Sequence, residues 1–266
     1  MRVKGTIREI EARLSAETEI TDEWIQELLQ DSRAGVKKLA RSYLKKRERI
    51  RREEERVQRM WDFERTYREQ GYRWVAGLDE AGRGPLAGPV VAAAVIFPED
   101  FDASGLNDSK QLTPEERLTL RRRIEEGALG TGVGIVDTRF IDQHNILQAT
   151  YEAMRRAVAQ LDPSPDLLLL DAVKLPGVDL PQHAIVKGDT LSHSIAAASI
   201  LAKTIRDEWM IQAAERYPGY GFEHHMGYGT QEHLEALEKQ GPCPLHRRSF
   251  SPVGDRIPGK EGVTGS

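Results

Sequence analysis

The sequence predicts an α/β domain, a mixed sheet flanked by helices, preceded by a small helical domain. Two observations carry this. Apolar residues recur at helical spacing up to about Gln70, and after Gly71 they regroup into short strands that alternate with long helices. The 266 residues allow one or two domains with cores of their own.

In the first part, Trp24, Ile25, Leu28 and Leu29, then Val36, Leu39, Ala40, Tyr43 and Leu44, form amphipathic stripes, with Thr21-Asp22 and Gly35 as caps or breaks. A long charged helix is expected from about Ala40 to Glu69, with Met60, Trp61, Phe63 and Tyr67 docking its far end on the next domain. The boundary therefore falls between residues 70 and 71, leaving 71–266 as the α/β domain. There, Trp74 to Asp79 and Pro89 to Phe97 read as adjacent strands joined by the turn-rich AGRGPLAG, and Gly132 to Val136 as a third. Ile141 to Leu161 reads as a helix. Leu167 to Leu170 reads as a strand buried on both faces, because four leucines in a row leave no polar side. A short strand at Ala184 to Lys187, a long helix from Ser194 to Arg216 and another from Thr230 to Lys239 follow. The Gly, Pro and Ser of the SPVGDRIPGKEGVTGS ending predict a loose tail.

Composition removes several classes. With 39% apolar and 30% charged residues the chain folds rather than staying disordered. Its longest apolar run, Val90 to Phe97, falls far short of the roughly 20 residues of a membrane helix. Arg8, Glu9, Glu11 and Arg13 interrupt any secretory core, so a cytoplasmic location is expected. One cysteine, Cys243, permits neither an intrachain disulfide nor a cysteine zinc cluster. The net charge of −4 hides an asymmetry: from Arg33 to Arg52 stand ten basic residues and one acid, Glu48. That stretch can attract a polyanion, or it can be a solvated helix face.

The chemistry concentrates in GLDEAGRGPLAGP. Asp79 and Glu80 end an apolar strand and are followed by glycines, where a ligand can approach the backbone closely. Neighbouring strand residues point to opposite faces, so both acids serve one site only if the strand ends at Glu80. Asp171 ends the leucine strand in the same way, and Asp189 follows in KGDTLSHS. Gathered carboxylates raise one another's pKa or recruit cations, and oxygen donors alone suit magnesium or manganese rather than zinc. Acids that merely end strands or cap helices would give the same pattern. No GxxxxGK[ST], GxGxxG or GxSxG motif is present, and 6% aromatic residues are few for the sugar-stacking cleft of a glycosidase. His224, His225 and His233, without cysteines or an HExxH, are expected at the surface or in loops. His246 in HRRSF is expected to be structural.

GLDEAGRGPLAGPVVAAAVIF, NDSKQLTPEER, LLLLDAV, KGDTLSHSIAAASILAKTIRD, GYGTQEH and HRRSF, in this order, closely resemble the motifs of the ribonuclease HII family from about Trp74 to Val253. Residues 1–70 are similar to the helical extension of some bacterial members. The resemblance implies a ribonuclease H-like fold and a centre of Asp79, Glu80, Asp171 and Asp189 holding two magnesium or manganese ions, with Asp79 shared. Asp207 and Glu208, close along the chain, are the acids that compete with Asp189 for the fourth place. The implied substrates are RNA–DNA hybrids and duplex DNA containing ribonucleotides, cut on the 5′ side of the ribonucleotide. The amides of Gly82 and Gly84 would read the 2′-hydroxyl, Arg83 would clamp a phosphate, and Tyr228 would pack on the deoxyribose that follows. Lys110, Lys187 and Lys203 match family positions near the nucleic acid. A monomer is favoured on the same grounds. A ribonuclease HIII-like nuclease and a hybrid-binding module without turnover are the alternatives.

Overall fold

The structure, a computed structural model, describes residues 3–16 and 20–256. It divides into two compact units, one up to Gln58 and one from Arg59 onward. The first holds α1 (Ile7–Ala16), α2 (Asp22–Gln30) and α3 (Ala34–Arg59). Its core is Ile10, Leu14, Ile25, Leu28, Val36 and Ala40, the apolar stripes expected there. Thr21 caps α2 by accepting from the Trp24 amide, and Arg33 binds Asp31 and the carbonyls of Val3 and Gly5.

The long helix expected from Ala40 to Glu69 is two helices. α3 ends at Arg59 and α4 spans Asp62–Glu69. Met60 and Trp61, at the break, are buried in the core of the second unit with Phe97 and Ala197. Tyr67 bonds His183, and Arg68 donates to the Phe97 carbonyl at 2.6 Å. The docking residues were legible; the boundary lies earlier because these aromatics belong to the core they dock on.

After β1 (Val75–Ala81) and β2 (Val90–Ile96) come α5 (Pro114–Gly127), β3 (Gly130–Val136), α6 (Thr138–Val158), β4 (Leu167–Asp171) and β5 (Gln182–Ile185). α7 (His193–Arg216), α8 (Phe222–His225) and α9 (Gln231–Gln240) complete the unit. The sheet order is β3-β2-β1-β4-β5, with β1 antiparallel to β2 and parallel to β4. It is a mixed sheet between helices, as expected. α5 was not anticipated, although Thr113 and Glu116 form a reciprocal capping box with Pro114 at the first turn. Within α6, Asn145 takes φ 71° and restarts the helix by accepting from the amides of Leu147 and Gln148. The expected tail begins ordered: Val253 is fully buried, and residues 257–266 lie outside the described residues.

Helix seating depends on glycines. On β3, a Cβ at Gly132 or Gly134 would lie 2.0 Å from the Ala157 carbonyl oxygen or 1.8 Å from that of Ala153, both on α6. On β1, a Cβ at Gly77 would lie 2.1 Å from the Ser194 backbone of α7. One helix thus lies against each face of the sheet at backbone distance. Among the described residues no helix is long and apolar enough to cross a membrane. Gly134→Ala is expected to cost about 1–3 kcal/mol through overpacking and to lower Tm by at least about 2 °C. An unchanged melting curve would show that α6 does not press on this strand.

Candidate active site

The pairing of parallel strands β1 and β4 ends at Leu78 opposite Leu170. The next residue of each strand is an aspartate. Asp79 and Asp171 therefore stand level on neighbouring strands and on one face, the face that Gly77 opens to α7. β1 does not end at Glu80, as one shared site seemed to require, but pairs with β2 through Ala81 opposite Val91. Glu80 still joins the group electrostatically: it feels the charges of Asp171 and Lys110, and its Oε1 lies 3.2 Å from Arg83 Nη1.

Asp189 sits on a single 3₁₀ turn, Gly188–Thr190, entered through Lys187 in the left-handed region at φ 59°. The Gly188 amide donates to Asp171 Oδ1 at 2.8 Å, which ties this turn to the end of β4. Glu64 of α4 supports the other side, its Oε1 accepting from the Ser192 hydroxyl and the Ser194 amide at the start of α7. Asp207 and Glu208 are occupied elsewhere, by Lys203 at 2.6 Å and Arg121 at 3.0 Å. Asp189, not these two, faces Asp171.

Burial is the dominant electrostatic fact. It pushes the Asp79 carboxyl well above the usual carboxylate range, and the charge of Glu80 adds to the rise. Glu80 is raised by burial and partly relieved by Arg83. Asp189 is raised by burial and then by Asp108 and Asp171, with Lys110 opposing. Two contributors escaped sequence reasoning. Asp108, inside the NDSK segment already singled out for Lys110, adds a carboxylate beside Asp189. Ser199 of α7 bonds the Asp79 carboxylate and meets the Ser109 hydroxyl at 2.9 Å, a link that only the packing of α7 on the sheet creates.

The acids are near one another without forming a cage. Among the described residues no three His, Cys, Asp or Glu side chains are gathered closely enough to hold a metal ion. Their oxygens are turned to local donors instead: Asp79 Oδ1 to the Glu80 amide, Glu80 to Arg83, Asp171 to Gly188.

Beside the acids lies the Gly82-Arg83-Gly84 turn. Gly82 takes φ +92°, and a Cβ there would lie 2.0 Å from Arg206 Nε, so only glycine fits. Tyr228 is 44% exposed, with its ring 5.9 Å from the Arg206 guanidinium and close to Gly84. Lys110 faces Glu80 and Asp189. Lys187 is exposed and contributes its backbone, accepting from Thr190, while Lys203 is engaged by Asp207. A groove of about 810 Å³ between α5 and α7, lined by Arg117, Arg121 and Lys203, contains none of the four acids. The acids instead occupy the rim where strand ends meet the glycine turn.

The histidines depart from expectation. His224 is exposed and paired with Glu232, but His225 and His233 are buried. His233 Nδ1 bonds the Tyr228 carbonyl, its Nε2 meets His246 Nε2 at 3.0 Å, and the Cys243 amide donates to His246 Nδ1. One proton per ring satisfies this line, and burial holds His246 down to about 4. His246 is structural, as expected, and so are its neighbours: together they anchor the Tyr228 loop.

The raised acids predict a pH signature. The folded state binds these protons more tightly than the unfolded chain, so their contribution to stability is full below the ordinary carboxylate range and is lost as pH rises through the raised values. In chelator, Asp79→Asn should therefore melt above wild type at neutral pH, by about 2–4 °C for each kcal/mol relieved, with the gap closing toward pH 4. An Asp79→Asn protein that melts lower at neutral pH would contradict this account.

Comparison with known proteins places these features in one family. The Ribonuclease HII family profile matches residues 76–253, and that of the Ribonuclease HII N-terminal domain matches residues 6–68. A Ribonuclease HII of Bacillus anthracis is 49% identical over 254 residues, covering 96% of this chain and 98% of its own. One of Bacillus cereus is 50% identical over the same shares. The crystal structure of ribonuclease H2 from Pyrococcus horikoshii OT3 superposes with TM-score 0.60 at 26% identity, covering 69% of this chain and 96% of that one. With its sheet, its helical extension and its motif segments in the expected order, the chain belongs to the ribonuclease HII family and is a ribonuclease H enzyme.

Proposed function

We propose that the enzyme cuts RNA in RNA–DNA hybrids and incises duplex DNA on the 5′ side of an embedded ribonucleotide, using two divalent cations held by Asp79, Glu80, Asp171 and Asp189. The observation that carries this reading is the level placement of Asp79 and Asp171 at the ends of β1 and β4, beside the Gly82-Arg83-Gly84 turn and Tyr228. The donor set fits magnesium or manganese: it offers carboxylate oxygens only, and burial leaves the acids short of positive charge. Asp79, the most deeply buried, is the ligand to be shared. Bound there, the two ions would activate water and neutralise charge developing at phosphorus.

The chain's own groups set the substrate. Backbone amides of the glycine turn can meet a 2′-hydroxyl, the group that separates RNA from DNA, because neither Gly82 nor Gly84 places a side chain in the way. Arg83, exposed and only loosely held at 3.2 Å by Glu80, can swing to a phosphate. The exposed ring of Tyr228 offers a flat apolar face for a deoxyribose, which lacks the hydroxyl that a following ribose would press against it. Lys110 counters the acids and can meet the backbone, and Lys187 stands at the exposed approach to Asp189. Departure of the 3′ oxygen leaves 3′-hydroxyl and 5′-phosphate ends. The task served is removal of ribonucleotides and hybrids from DNA in the bacterial cytoplasm, by a monomer.

The first unit supplies auxiliary affinity through the stretch from Arg33 to Arg52. Its cations are not all available: Arg33 binds Asp31, Arg47 binds Asp22, and Arg51 and Arg52 bind Glu48. Lys37, Lys38, Arg41, Lys45 and Arg49 are left as the candidates for phosphate contact. Deleting residues 1–58, not 1–70, tests this, because Met60, Trp61 and Glu64 are buried in the second unit. The deletion should weaken substrate binding and flatten its salt dependence by about 0.9 in logarithmic slope per phosphate lost. An unchanged slope would make the unit structural.

The deciding experiment is incision of labelled duplex DNA containing one ribonucleotide, with magnesium, manganese or chelator. Cutting 5′ of the ribonucleotide is expected, abolished by chelator and reduced by at least about 10²-fold in Asp79→Asn and Asp171→Asn. Cutting of long hybrids but not of the single ribonucleotide would favour a ribonuclease HIII-like preference. Binding of both without turnover would leave a hybrid-binding protein.

A further inference from the structure

Two arginines lie under the glycine turn. Arg206 and Arg247 are 1% and 0% exposed, and among the described residues neither is salt-bridged to a carboxylate. Their donors go to main-chain carbonyls instead. Arg247 Nη2 donates to Gly82 at 2.5 Å and to Gly88 at 2.9 Å, Nη1 to Arg83 at 2.8 Å, and Nε to Gly88 at 3.0 Å. Arg206 Nε donates to Pro89, Nη2 to Ala87 and Nη1 to Met226, at 3.0, 3.1 and 3.0 Å. Desolvation lowers the pKa of both guanidiniums, and each stays tolerable only because its donors are satisfied together.

This arrangement has a direct stereochemical consequence. In a trans peptide the N–H points opposite to the preceding C=O. With the carbonyls of Gly82 and Arg83 drawn inward to Arg247, the amides of Arg83 and Gly84 are turned away from it, and Tyr228 lies close to Gly84. Two further amides of the turn are spent inside the protein, Leu86 on Gly227 and Gly88 on Leu245. Arg206 adds a second constraint. It holds Ala87 and Pro89 of the turn and Met226 of the Tyr228 loop with one planar fork, so it sets the spacing between the outward amides and the tyrosine ring.

We propose that Arg247 and Arg206 are positioning residues for sugar discrimination: together they aim the amides of the glycine turn and fix their distance from Tyr228. This rests on the reading of the turn and Tyr228 as the sugar-reading elements. Neither arginine touches the acids, so their loss acts on recognition of the ribonucleotide rather than on the carboxylate centre. Lysine cannot replace them, because a single ammonium cannot hold several diverging carbonyls in one plane.

The test is binding in chelator, where nothing is cut, of the full-length protein to fluorescent duplex DNA with and without one ribonucleotide. Wild type should prefer the ribonucleotide duplex. Arg247→Lys and Arg206→Lys should each lose about tenfold of that preference, the order of a charge-assisted hydrogen bond or two, while keeping their affinity for plain duplex. With magnesium, KM for the single-ribonucleotide substrate should rise more than kcat falls, and the magnesium-induced rise in Tm should match wild type. Should Arg247→Lys fail to fold, Arg247→Ala with added guanidinium ion at millimolar concentration is the companion, and return of the preference is expected. Folded variants that keep the full preference, or that lose ribonucleotide and plain duplex binding equally, overturn the proposal and leave the functional reading standing. A wild type with no preference overturns both.

Discussion

Everything in the second unit is arranged around a charge problem at the end of two parallel strands. The β1–β4 register ends at Leu78 and Leu170, so the first residues beyond it, Asp79 and Asp171, come off side by side at the margin of a leucine-rich core. A buried carboxylate is costly, and a second one beside it is costlier. The protein does not remove this cost with a resident cation side chain: Arg83 leans only on Glu80, and Lys110 acts from outside. A site that withholds its own counter-ions keeps its attraction for a metal ion and for the substrate that must come with it.

The opposite choice is made on the other side of the glycine turn. There the donors of two buried guanidiniums are satisfied by peptide carbonyls, with no direct salt bridge to an acid among the described residues. A cluster of acids and a pair of carbonyl-bound guanidiniums thus flank the segment Gly82–Pro89, separated by backbone. Had either arginine been bridged to one of the acids, the pair would have cancelled, and both the negative field of the acids and the shape of the turn would have been lost. Gly82 and Gly88 are the cost of bringing an arginine this close, since a Cβ at either would meet the side chains of Arg206 or Met210.

Much of this was legible in the sequence. The strands β1, β2 and β4 and the long helix α7 follow from apolar runs, and Asp79 and Asp171 stand out where acids end such runs, because burial on both faces leaves no other pattern; Asp189 was singled out by the family resemblance. The helix break at Met60 and Trp61 was not legible, since i, i+3 spacing continues across it and only packing against Phe97 and His193 decides the bend. α5 was missed although its cap was written in Thr113, Pro114 and Glu116, a local signal overshadowed by a charged, weakly amphipathic helix. Ser199, Arg206 and Arg247 were invisible as site residues for a different reason. Their roles come mostly from partners 90 to 165 positions away along the chain, such as Ser109 for Ser199 and Gly82 for Arg247.

The same distance in sequence explains why α4 belongs to the catalytic unit rather than to the helical extension from which it follows. Glu64 is fully buried, its carboxyl raised by burial, and it reaches across 128 residues to the Ser192 hydroxyl and then to the Ser194 amide. An acid at the start of α7 satisfies amides that no turn of the helix can reach and complements the positive end of its dipole. That start is also where the segment carrying Asp189 ends, and the Met60 carbonyl accepts from the His193 amide at the same point. The placement of Asp189 therefore rests on two supports, Asp171 through the Gly188 amide and the Met60–Glu64 segment through α7. A chain cut after α4 would keep every motif of the site and lose one of the two supports that hold its fourth acid.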